Sequence, residues 1–489
     1  NAVAFATQPI IKVQDQDGNT VTDYVGNVTV GQSGGTLDGT KVIAVSQGVA
    51  TYTDLKLSGA SATSYTLTFT APNVTDETQT FTLGAGAAHH LAIIQLSSTA
   101  ENRINFTTQP IIEVQDVTGN PVPNSGLTIT AASTGLTLDG TKTAIVNAST
   151  GRATFSGLSL RGLISASPST QVNFTTAGGV AAAGQAVSVT HGPASQLSVN
   201  PTTHTAINNA TFATTPVVTV TDVDGNKVVN STKTVTVSVA PTTGSTNPTS
   251  TDGFADQTFT STGELSYPNA KITGKAQNYN VTYAATGLTS AVQTVTLGHA
   301  AASQLVKVAM PTSAKAGVGF TTNPKFEIQD ASGNVVNTGA FATATVSATV
   351  AHNSGNREQT SLRTAGANAS PVNATASLGV VEFTDINLVG DAGDNYDITF
   401  TIATPSNSIA ANTQTVALNA GNPYKLAVTE QPADVVAGAT FTTAPKAQIQ
   451  DAWNNAVGTV ASSYAIKADL VTTDNATVED SDTTVEGFD

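Results

Sequence analysis

Cysteine is absent from all 489 residues. That excludes disulfide bracing, thiolate catalysis and Cys-based metal sites. Charge is scarce as well: 11% of residues are Asp, Glu, Lys or Arg, against roughly 25% in ordinary soluble domains. Nineteen basic residues face thirty-four acidic ones, for a net charge of −15. They form no basic stripe, which argues against a nucleic-acid partner. Aromatics are 5%, with one Met and one Trp. No run of 18 apolar residues occurs, so no membrane-spanning helix is expected within this stretch. The opening NAVAFATQP has neither the charged nor the apolar region of a secretion leader. What remains is small and β-branched. Hydrophobic residues still reach 39%, too many for a disordered chain, and the Thr and Val content favours strands. A cysteine-free, Thr-rich chain of low charge suits an extracellular, cell-surface setting.

One pattern recurs five times: FATQPIIKVQDQDGN from Phe5, FTTQPIIEVQDVTGN from Phe106, FATTPVVTVTDVDGN from Phe212, FTTNPKFEIQDASGN from Phe320 and FTTAPKAQIQDAWNN from Phe441. Its prolines, Pro9, Pro110, Pro216, Pro324 and Pro445, are spaced by 101, 106, 108 and 121 residues. Solenoid repeats run roughly 20–50 residues, so this period means one small domain per copy. Within the pattern, Val13, Val114, Val220, Ile328 and Ile449 hold an apolar face. Lys12, Glu113, Thr219, Glu327 and Gln448 hold a polar one. That alternation predicts a half-buried strand. Pro belongs at its start or at an edge, and the Phe is expected to plug one end of the core. The Asp can close an Asx-turn. Gly18, Gly119, Gly225 and Gly333 become Asn454 in the fifth copy, which predicts a left-handed residue there.

Further landmarks repeat. Gly48 to Tyr52, Gly151 to Phe155 and Gly379 to Phe383 share one strand pattern. Leu55 to Gly59, Leu158 to Gly162 and Ile386 to Gly390 share another. Tyr65 to Phe69, Tyr279 to Tyr283 and Tyr396 to Phe400 share a third. About seven strands per domain, with turn signals every 8–12 residues, predict an all-β fold of tandem Ig-like sandwiches. The expected division is 1–86, 87–192, 193–300, 301–421 and 422–489. The first domain lacks its opening strand and the fifth its C-terminal strands, as in an excerpt of a longer chain or ends completed by neighbours. Short Gly, Ala, His and Pro linkers favour an extended rod, on the order of 150–200 Å for five domains of this size.

The stretch Asp116-Val-Thr-Gly-Asn-Pro-Val122, ahead of Leu127-Thr-Ile-Thr130, resembles the bacterial Ig-like repeats of invasin/intimin-type adhesins and of Ig-like surface-layer proteins. The Phe-x-Thr-x-Pro upstream, and the absence of Pro from the other four turns, depart from that pattern. The resemblance implies a cell-surface, non-catalytic spacer or lattice module. It carries over no catalytic residue.

Candidate chemistry is sparse. Asp15, Asp17 and Asn19, and again Asp222, Asp224 and Asn226, occupy the first three ligand positions of an EF-hand-type loop. The twelfth positions are Gly26 and Lys233 rather than Glu, so a plain hairpin turn is the stronger reading. Ca²⁺ is the one cofactor this pattern admits. His89, His90, His191 and His299 lie between domains without a three-ligand set. No nucleophile triad, phosphate loop or zinc signature appears, and no enzyme activity is expected. Eleven Asn-x-Ser/Thr sites, among them Asn27, Asn73 and Asn475, are open to glycan attachment. Trp453 could serve a carbohydrate-binding surface, but a single Trp argues against an array of such modules. The first functional reading is a surface-layer or filament component that contacts other copies of itself laterally or head to tail. The alternative is the stalk of a cell-surface adhesin.

Overall fold

The structure is a computed structural model and describes residues 1–166, 169–244, 246–352, 360–364, 367–436, 438–458 and 466. Apart from two short 3-10 turns, every element among them is a strand. The second domain shows the plan. Its strands are β1 (His90–Gln95), β2 (Thr99–Glu101), β3 (Ile111–Gln115), β4 (Thr128–Thr134), β5 (Thr137–Asp139), β6 (Thr143–Ile145), β7 (Arg152–Thr154), β8 (Ser159–Arg161), β9 (Thr170–Thr175) and β10 (Ala183–Thr190). One sheet has the order β7-β3-β1, the facing sheet β2-β10-β9-β4-β6, and β5 pairs with β8 in a short ribbon. The expected seven strands appear as ten segments. The opening strand breaks after Gln95 and its continuation β2 crosses to the other sheet, where it pairs parallel to β10. The other strand pairs of this domain are antiparallel, and a single parallel bridge joins His90 to Ala181. Two facing antiparallel sheets with a sheet-switching first strand make an Ig-like sandwich.

The third and fourth domains repeat this three-plus-five arrangement. The first has two strands in one sheet (Ile10–Lys12 with Val49–Thr51) and four in the other. Of the fifth, the described residues form the pair Lys425–Glu430 and Lys446–Gln450. Residues 459–465 and 467–489 of that copy, Asn475 among them, lie outside the described residues.

Alternation explains the strands. Val114, Val220 and Ile328 point inward and are fully buried, with Val13 and Ile449 nearly so. Each pattern proline immediately precedes its strand, where a missing N–H costs no ladder bond. Its carbonyl is used instead: Pro9, Pro110, Pro216 and Pro324 accept from the N–H of Tyr52, Phe155, Tyr267 and Phe383. Phe106, Phe212 and Phe320 are buried as expected, and Phe5 sits edge-on to Phe81. Phe441 differs, at 50% exposed, in a copy with no core cluster among the described residues. The polar face has one exception. Glu113 is buried, because Arg152 Nε at 2.7 Å and Gln115 Nε2 at 2.8 Å cover its carboxylate.

The buried residues fall into four separate clusters, one per sandwich. Each is stabilised by its own apolar burial. Leu160 in β8 is fully buried in the second cluster. Leu160→Ala should therefore destabilise that domain by about 2–5 kcal/mol. Hydrogen exchange should show the loss in β3, β4 and β9, while strands around Val281 and Ile398 keep their protection.

Candidate functional site

The five turns close as the sequence suggests. The Oδ1 atoms of Asp15, Asp116, Asp222, Asp330 and Asp451 accept the N–H groups two and four residues on, at 2.8–3.0 Å. Gly18, Gly119, Gly225, Gly333 and Asn454 have φ of +80°, +85°, +88°, +75° and +72°. Asn454 thus takes the left-handed conformation that glycine takes in the other four turns.

The second carboxylate oxygen does something the sequence does not show. Asp116, Asp222, Asp330 and Asp451 each use Oδ2 to accept a linker N–H: Gly86 at 2.9 Å, and Gly192, Ala300 and Gly421 at 2.8 Å. The separation is 30 residues every time. The turn asparagine completes the contact with the preceding domain. Asn120, Asn226, Asn334 and Asn455 donate Nδ2–H to the carbonyls of Gly59, Gly162, Gly274 and Gly390, at 2.9–3.0 Å. Their Oδ1 atoms accept the N–H of Ser61, Ile164, Ala276 and Ala392, at 2.7–2.9 Å. Each amide is paired on both sides with one Gly-x-X loop, and each Asp also receives its own Asn. All four joints are built alike.

The preceding domain presents that loop through two residues. In three domains the Tyr-centred strand holds it: Tyr65, Tyr279 and Tyr396 donate their hydroxyls to the carbonyls of Ala60, Lys275 and Asp391. Gly59 and Gly390 lie directly under those rings. A Cβ there would stand 2.4 and 2.5 Å from the hydroxyl oxygens. The second domain has Thr170 at the Tyr position, and a 3-10 turn (Ile164–Ala166) follows Gly162. Where Asn102 and Asn208 occupy the tip, each adds a bridge. Each accepts the N–H of Gly162 or Gly274 and donates to Asp222 or Asp330 at 2.9 Å.

These carboxylates are buried in all four joints. At Asp116, Asp222 and Asp330 burial pushes the pKa upward, but the converging N–H donors outweigh it. Asp116 and Asp222 end below the usual carboxylate range, and Asp330 at about 2. Asp224 is also held at about 2, chiefly by Arg103, with Asn102 adding to it.

The EF-hand-like residues are split by this geometry. Asp222, Asp224 and Asn226 stand together, but their oxygens meet Gly192, Asn102, Arg103 and Ile164. Asp15, Asp17 and Asn19 form an exposed turn whose described bonds are internal. Among the described residues, no group of three His, Asp or Glu could hold a metal ion. His191 and His299 brace the linkers. Each Nδ1 is within 3.0 Å of the next residue's carbonyl, and each Nε2 reaches Val229 N or Thr338 Oγ1. Asn27 and Asn73 are exposed. The signal for the clamp was the pair of constant polar residues, Asp and Asn, beside a left-handed position that needs neither.

The chain matches no protein-family model and no curated protein sequence. Among solved structures it is similar to FdeC, an Escherichia coli adhesin, at 16% identity and a TM-score of 0.29, covering 68% of this chain and 99% of that one. It is similar to invasin, a bacterial integrin-binding protein, at 13% and 0.28, covering 85% and 76%. Extracellular cadherin domains 1–4 of protocadherin gamma B7 align at 10% and 0.31, covering 80% and 92%.

Two outcomes follow from the clamp. Asn334→Ala leaves the Gly274 carbonyl and the Ala276 N–H unpaired, at a cost of about 1–3 kcal/mol. Hydrogen exchange should rise at Ala276 and Ala300 while Val281 and Ile328 stay protected. The second concerns acid. A carboxylate whose folded pKa is depressed stabilises the joint above its ordinary value and loses that contribution as pH falls. For Asp330 the window runs from 3.8 to about 2. Interdomain exchange protection should fall across that window, and a joint carrying Asp330→Asn should lose this pH dependence.

Proposed function

We propose that the protein is a non-catalytic, extracellular structural component of a bacterial surface, with successive Ig-like domains held in fixed relation. The supporting observation is the repeated clamp. Four joints spend a buried carboxylate and a doubly bonded Asn on the same task, and a flexible tether would need neither. The hydrogen bonds between domains all link consecutive ones, among the described residues. We assign the joints to the linkers at residues 84–89, 191–195, 299–303 and 420–424.

Within that class, the first reading is a filament or surface-layer subunit. The exposed Asp15–Asn19 turn carries the groups that clasp a neighbour in the other four copies. It is the surface at which another Ig-like tip would join, from a preceding stretch of a longer chain or from a second copy. A repeated head-to-tail contact of this kind generates open filaments. The second reading is an adhesin stalk, which the uniform joints serve equally well.

Electron microscopy and sedimentation of the purified chain separate the two. End-to-end polymers that grow with concentration and vanish in Asp15→Ala support the filament. Single particles at every concentration and Ca²⁺ level support the stalk. A wild-type chain whose neighbouring domains sample all angles would overturn the shared premise.

A further inference from the structure

The clamp is constant, but a pair of positions beside it is not. Ala2, Arg103, Asn209 and Gly317 are structurally equivalent. Each donates its N–H to the matching carbonyl of Leu57, Leu160, Ile272 or Leu388, and their φ values are +57°, +64°, +58° and +69°. All four lie at the domain tip that meets the next turn. The third residue of that turn varies with them: Thr118 follows Ala2, Asp224 follows Arg103, Ser332 follows Asn209 and Trp453 follows Gly317.

Two of these pairs are chemically exclusive. Arg103 grips Asp224 with Nε and Nη2, both at 2.6 Å from its oxygens. Gly317 lies against the indole of Trp453, and a Cβ at position 317 would stand 1.6 Å from the ring. The guanidinium of Arg363, from the same domain as Gly317, lies 5.7 Å from the indole centre and confines it further. Left-handed backbone is not the reason for glycine here, since Ala2, Arg103 and Asn209 hold that conformation with side chains. Space for the indole is.

We propose that this variable pair is the specificity determinant of each joint, selecting which domain tip a given turn accepts. A chain with one clamp repeated several times faces a misassembly problem, because any turn could clasp any tip, in the same molecule or another. Discrimination requires a difference in affinity, best supplied by a contact that also rejects. The Trp453 turn rejects every tip bearing a Cβ. The Asp224 turn favours a cationic tip. The inference rests on the reading of the joints as fixed contacts and says what makes each one selective.

Pairs of spin labels in the full chain test this, aided by the absence of native cysteine. Labels at Ile145→Cys and Val292→Cys span the second joint, and labels at Leu378→Cys and Val428→Cys span the fourth; all four sites are exposed. The native chain should give one narrow distance peak across each. Asp224→Trp alone should at least double the width across the second joint. Adding Arg103→Gly, which reproduces the fourth joint's pair, should narrow it again. Gly317→Ala alone should broaden the fourth joint, and adding Trp453→Thr, which reproduces the first joint's pair, should restore it. Core hydrogen exchange confirms that the domains stay folded. Single variants as narrow as native, or double variants no narrower than the singles, overturn the pairing rule. Broad native peaks would instead overturn the fixed-joint reading beneath it.

Discussion

A carboxylate taken out of water must be met by donors, and the joints are arranged around that requirement. Asp222 shows the consequence. One of its oxygens closes its own turn, and the other takes the linker N–H of Gly192. The same side chain therefore sets local backbone geometry and the position of the incoming chain. This accounts for the constant separation of 30 residues between linker donor and aspartate. The intervening strand pair must bring the linker back beside the turn, and a linker longer or shorter by a residue would leave the charge unmet. Turn, linker length and joint cannot vary independently.

The other half of the contact is supplied from the preceding domain with equal economy. The Gly-x-X loop offers a carbonyl and an N–H to one amide, the pairing an Asn side chain can satisfy on both its atoms. Keeping those two backbone groups in place falls to the Tyr hydroxyl in three domains. In the second domain the residue is Thr170 and the loop becomes a 3-10 turn, with Asn102 accepting the Gly162 N–H. Different interiors thus hold the same pair of backbone groups toward the next turn. The presented geometry is shared even where its internal support is not.

The sandwich architecture was legible in the sequence because strands with one buried face alternate. Val13 through Ile449 and the prolines before them sit where period-two reasoning puts them. The turn was legible too, down to the left-handed Asn454. The joint was not. Reading Asp-x-x-Gly-Asn as a backbone device explained the Gly and Oδ1 of the Asp, but it left the Asn and Oδ2 without work. The Leu-x-Leu-x-Gly pattern reads as another strand, and it is one up to the residue before its glycine. That the Asn of one pattern binds the Gly of the other, some sixty residues back and in a different domain, follows from how neighbouring domains meet, and no local periodicity encodes that. Glu113 fails the polar-face rule for a similar reason: Arg152, thirty-nine residues away, brings the compensating charge.

The two Asp-x-Asp-Gly-Asn copies carry this argument to its end. Asp15-Gln-Asp17-Gly-Asn19 and Asp222-Val-Asp224-Gly-Asn226 differ at one residue, Gln16 against Val223, which is exposed in both copies. In one place the motif is an exposed turn bonded to itself. In the other Asp222 is buried and Asp224 half-buried, and Asn102 and Arg103 of the preceding domain bind their carboxylates. Both fold into the same loop with nearly the same φ at glycine, so the backbone cannot distinguish them. What separates a bare acidic hairpin from a socket is the tip that faces it. In a chain of repeated domains, the functional unit is therefore the joint between two domains, and the chemistry of a motif has to be read across it.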